Sequence, residues 1–147
     1  MAENKKIDEA TIDAWRANPA QFIEEALADP KIDAAYRLLP AERAFLAHAF
    51  KTGDDGRLLY PEQLYACPKK SGKTAFAAMH ALALTLLYGG RYPEAVIVAN
   101  DLEQAQGRVF EAVRKIVECS PWLRSKACHA RSHNVSDDWG DDTRDRC

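Results

Sequence analysis

Residues 67–74 read Cys-Pro-Lys-Lys-Ser-Gly-Lys-Thr. The last three match the end of the phosphate-loop pattern GxxxxGK[ST], while Cys67 stands where that pattern has its first glycine. The chemistry needs a loop whose backbone N–H groups turn inward around phosphate oxygens. Gly72 lets the backbone come close. Lys73 can reach β- and γ-phosphates, and the Thr74 hydroxyl can ligate Mg²⁺. A helix starting there would offer its positive N-terminus to the anion. Cys67, Pro68, Ser71, Gly72, Lys73 and Thr74 are therefore the expected ATP-contacting positions, with Mg²⁺ at Thr74. Lys69 and Lys70 read two ways: as a solvated basic turn, or as a cation reaching the γ-phosphate beside Lys73 in a catalytic role.

Such a loop needs an apolar strand before it and a long helix after it. Leu64-Tyr65-Ala66-Cys67 reads as a short buried strand. Residues 75–88 predict a helix with Phe76, Met79, Ala83, Leu86 and Leu87 on one stripe, ended by Gly89-Gly90. Ala95-Val96-Ile97-Val98-Ala99 is β-branched and bounded by Pro93 and Asn100, which predicts a second buried strand. A second helix is expected over 102–119, on the stripe Leu102, Ala105, Val109, Val113, Ile116 and Val117, ended by Ser120-Pro121. Strand, helix, strand, helix is a parallel βαβα unit with a right-handed crossover, an α/β fold of the phosphate-loop class.

Residues 1–56 read as an N-terminal helical segment. Asn18-Pro19 with Gln21 predicts a helix start, followed by Phe22, Ile23, Ala26 and Leu27 on one face. Asp29-Pro30 stops that helix. A second begins at Pro40, with Ala44, Phe45 and Phe50 supplying its apolar side, and Gly53-Asp54-Asp55-Gly56 is a turn. The nucleotide-binding core is expected over 57–124, and the apolar period stops after Leu123.

Three of these pieces, YACPKKSGKT at 65–74, the alanine-rich helix after it and AVIVANDLEQAQGRVFEAVRKIVECSP at 95–121, resemble the large terminase subunit of tailed bacteriophages. That family is the ATPase motor and nuclease that packages viral DNA. The resemblance implies ATP hydrolysis with Mg²⁺, sequence-independent contact with double-stranded DNA, and a portal protein and small terminase subunit as partners in a host cytoplasm. It covers about residues 58–123. The tryptophan-glutamine that the family often carries in its adenine-contacting segment is absent from 40–50, so no adenine site is carried over. A Walker B strand ending in an acidic pair, a coupling motif and a nuclease domain have no counterpart in the sequence. The expectation is an incomplete motor in which residues 125–147 do not belong to the fold. Another phosphate-loop enzyme, such as a helicase, and a non-catalytic fragment are the competing readings.

Val96-Ile97-Val98-Ala99-Asn100-Asp101 imitates Walker B, yet Asn100 separates strand from acid, and Asp101 with Gln104 makes a good helix start. Cys119, Cys128, His129, His133 and Cys147 match no common zinc spacing. Asp137, Asp138, Asp141 and Asp142 read as a solvated acidic tail. The chain has 147 residues, 47% apolar and 29% charged, with net charge −2. That is ordinary for one soluble globular domain and supplies no global basic field. Its longest nearly apolar run, 74–88, is too short to cross a bilayer.

Overall fold

A computed structural model describes residues 8–100 and 106–124. The expectations for Asp101, Leu102, Gln104 and Ala105, and for the tail 125–147, lie outside the described residues.

The chain opens with α1 (Glu9–Ala17), capped by Asp8, whose carboxylate accepts the Thr11 N–H at 2.9 Å and the Thr11 hydroxyl at 2.6 Å. Asn18 alone separates it from α2 (Pro19–Ala26), with Pro19 in the first turn as expected. The rest of the expected cap is not formed. Asn18 makes no side-chain cap bond, and Gln21 donates forward to Glu25 at 2.9 Å instead of reaching back. Asn18 is occupied in closing α1, its own N–H bonded to the Ala14 carbonyl at 2.9 Å.

The helix ends at Ala26, before the Asp29-Pro30 stop, because the chain turns into a minimal antiparallel ladder. In it β1 (Ala28–Asp29) pairs with β2 (Ala34–Ala35) in the register Ala28–Ala35 and Asp29–Ala34. Asp29 shapes the turn by accepting the Lys31 N–H at 2.9 Å. Helix α3 (Pro40–Ala49) follows, and the buried Glu42 carboxylate accepts the Leu39 N–H at 2.8 Å at its start. The turn expected at 53–56 closes a small hairpin, with Thr52 bridged to Leu58 and the Gly53 N–H bonded to the Arg57 carbonyl.

The central helix is α4 (Lys73–Ala83), prolonged by a π-helical turn over Leu84–Tyr88. Gly89 ends it where a Cβ would sit 2.4 Å from both the Pro93 side chain and the Thr85 carbonyl, so only glycine fits. A second π-helical turn, Gln106–Phe110, leads into α5 (Glu111–Cys119). On the exposed face of α5, Arg114 hydrogen-bonds Glu111 and holds its carboxyl down to about 2. Screening by water leaves such a pair with little effect on stability.

Helices α2, α4 and α5 pack around one core, in which Phe22, Ile23, Leu27, Leu46, Phe76, Met79 and Ile116 are fully buried. The end of α4 is stapled to α1 by Arg16 Nε donating to the Leu87 carbonyl at 3.0 Å and the Tyr88 hydroxyl donating to the Arg16 carbonyl at 2.6 Å.

Neither expected strand of the parallel unit is formed as a strand. Residues 64–67 and 95–99 carry no ladder among the described residues, whose single sheet is the β1–β2 pair. Leu64 is 89% exposed, Val96 76% and Val98 87%, so these runs are not buried either. The physical reason is that apolar or β-branched composition, as at 95–99, favours an extended backbone at most, while a strand exists only when a neighbour takes up its N–H and C=O groups. The helical half of the expected βαβα unit is present, with α4 against α5.

Candidate phosphate-binding loop

The loop begins at the half-buried Cys67 and ends in the first turn of α4. Pro68 starts a turn in which the Ser71 hydroxyl donates to the Pro68 carbonyl at 2.7 Å and the Ser71 N–H approaches it at 3.4 Å. Two left-handed residues then shape the backbone: Lys70 at φ 69° and Gly72 at φ 84°. Alternation of left- and right-handed residues turns successive N–H groups toward one side, the geometry that cradles anions. Gly72 is needed for its left-handed conformation and not for space, since a Cβ there would meet nothing within 4 Å.

Gly72 is also the residue at the N-terminal boundary of α4, and no side chain caps that helix. The first N–H groups of a helix have no carbonyl partners within it. At this end they follow directly on the loop, together with the positive end of the helix dipole. The first intrahelical bond is Phe76 N–H to the Gly72 carbonyl at 3.1 Å. Lys69, Lys70 and Lys73 are all exposed, and no ion pair to them is formed among the described residues. Three cations thus flank the uncapped helix end. Thr74, in the first turn, is half-buried.

These features fit a polyphosphate: free amide donors, an open glycine and lysines not engaged elsewhere. The positions expected from the sequence, Cys67 through Thr74, run from just before the Pro68–Ser71 turn into the first turn of α4. Among the described residues no group of three or more His, Cys, Asp or Glu side chains converges on a metal position.

Behind the loop lies an aromatic cluster that the sequence reading did not assemble. Tyr65 and Phe76 rings meet at 4.6 Å, and Phe45 of α3 packs edge-on to both, at 5.0 and 5.8 Å. His80, two turns along α4, sits against Phe45, Phe50 and Phe76. Burial pulls its pKa below the ordinary value, and its Nδ1 is buried without a hydrogen-bond partner. Gln63 ties the approach to the loop back to α3 by donating to the Ala49 carbonyl at 2.8 Å. The one available signal for the cluster was the aromatic content of 45–50, 65 and 76, which periodicity alone does not bring together.

No family model, curated protein or solved structure matches the chain. No described helix is long and apolar enough to cross a membrane.

Proposed function

We propose that residues 67–74 bind the triphosphate of ATP together with Mg²⁺, and that the chain is the ATP-binding part of a viral DNA-packaging motor of the terminase type. The observation that carries this reading is the loop with left-handed Lys70 and Gly72 opening onto the uncapped N-terminus of α4. The amides of this turn would hold phosphate oxygens, Lys73 would neutralise the terminal phosphates, and the Thr74 hydroxyl would face the metal. Lys69 and Lys70 supply further positive charge at the same mouth. When bound, Mg²⁺ would screen charge on the phosphates. Double-stranded DNA, a portal protein and a small terminase subunit as partners belong to this proposal. With net charge −2, the chain would touch DNA through phosphates only, without sequence preference.

The test is calorimetric titration with a non-hydrolysable ATP analogue and Mg²⁺, comparing wild type with Lys73→Ala. Loss of the charge-assisted contact should weaken binding by about 1.5–3 kcal/mol. Equal affinity in the two proteins would remove the basis for the assignment.

A further inference from the structure

Tyr65 lies just before the loop and Phe76 just after it, and their rings touch across its base at 4.6 Å. Phe45 packs against both from α3. We infer that this trio is a clasp that fixes the separation of the two loop ends, making Phe45 and Tyr65 positioning residues for the phosphate loop.

The inference rests on the ATP-binding reading for its purpose but on geometry for its existence. Phe76 is 1% exposed, and its N–H anchors the Gly72 carbonyl, so the exit side of the loop is rigidly seated on α4. The entry side has no such backbone support. Residues 64–67 carry no ladder among the described residues, and along them Leu64 and Ala66 are exposed while Tyr65 and Cys67 are half-buried. The alternation turns Tyr65 and Cys67 toward the helices, and the Tyr65 ring, two residues beyond the Gln63 bond to the Ala49 carbonyl, holds this side nearest the loop. A loop whose ends are free must be ordered by its ligand, which lowers affinity; a loop with fixed ends meets the ligand preorganised.

Cys67 lies at the first position of the loop and reports on the clasp without any ligand, with Cys119 on α5 as an internal reference. Site-resolved alkylation by iodoacetamide would be followed in wild type, Tyr65→Ala, Tyr65→Phe and Phe45→Ala. Local opening should raise the Cys67 rate about fivefold in both alanine variants. Tyr65→Phe keeps the ring and should match wild type, and Cys119 should not change. Affinity for Mg²⁺ and the ATP analogue should fall in parallel in the alanine variants and return in Tyr65→Phe. Unchanged Cys67 rates would overturn the clasp. So would equal acceleration of Cys67 and Cys119, which would mean that the rings serve general core packing. If wild type takes up no ATP analogue, the nucleotide reading falls, while the Cys67 rates still decide the clasp.

Discussion

Ser120 and Ala28, far apart in sequence, are joined by a buried hydrogen bond in which the Ala28 N–H donates to Ser120 Oγ at 2.9 Å. The same hydroxyl donates to the Ile116 carbonyl at 2.6 Å, so one side chain closes α5 and fastens it to β1. Ser120 is wholly buried. Ser120→Ala would leave the Ala28 N–H without its acceptor. A buried donor left unsatisfied costs about 1–3 kcal/mol, and chemical denaturation should show that loss with an unchanged m-value. A variant as stable as wild type would mean that water or a shifted backbone replaces the bond.

Trp122 makes the complementary contact at the same end of α5. Its ring meets Trp15 at 5.5 Å and Phe22 at 6.2 Å, both edge-on, and Trp15 meets Phe22 at 5.3 Å. The N-terminal helices and the end of the described chain thus share one aromatic core. Trp122 is half-buried, so Trp122→Ala should cost about 2–3 kcal/mol, somewhat below the value for a fully enclosed ring. Thermal unfolding monitored by circular dichroism would measure it. A loss confined to a few tenths of a kcal/mol would show that the ring is peripheral.

The helices were legible because their apolar period is local: Phe22 with Ile23 and Ala26, and Phe76 with Met79 and Ala83, fall on the faces that are buried. The start of α4 at Gly72-Lys73 was legible for the same reason, since the residues that set it are adjacent in sequence. The two expected strands are not formed among the described residues. The run 95–99 has the composition of a core strand, yet pairing is set by partners remote in sequence, and composition does not specify them. The ladder of Ala28 and Asp29 with Ala34 and Ala35 was missed for the opposite reason, as alanine and aspartate carry no strand signal and a turn made by Asp29 does the work. The Trp15–Phe22–Trp122 contact was hidden because no periodicity links positions that distant.

Gly72 separates conformation from contact in the candidate site. Its φ of 84° is left-handed and a Cβ would touch nothing, so Gly72→Ala tests backbone strain without steric clash. The left-handed conformation costs an L-residue roughly 1–2 kcal/mol. The variant is expected either to bear that cost in global stability or to relax the loop. In the second case affinity for Mg²⁺ and the ATP analogue falls, although every charged side chain remains; in the first the denaturant midpoint falls and affinity is kept. Nucleotide affinity and denaturant midpoint would be measured on the same samples. Wild-type values for both would show that the left-handed turn is dispensable.

His80 links the core behind the loop to pH. Its ring is surrounded by Phe45, Phe50 and Phe76, its Nδ1 has no partner, and burial depresses its pKa below 6.5. The unfolded chain protonates this group at the ordinary value, so over the interval below 6.5 it binds more protons than the folded chain. Stability is therefore full above 6.5 and is lost as pH falls toward the depressed folded value. His80→Leu removes the titrating group and keeps an apolar side chain against the three rings. The free energy of unfolding would be measured by urea titration from well above 6.5 to a unit or so below it. Wild type should lose stability across that range and His80→Leu should lose less, the difference between the two slopes being the contribution of His80. Parallel slopes would show that the imidazole is solvated in the folded protein and that the aromatic cluster does not exclude its charge.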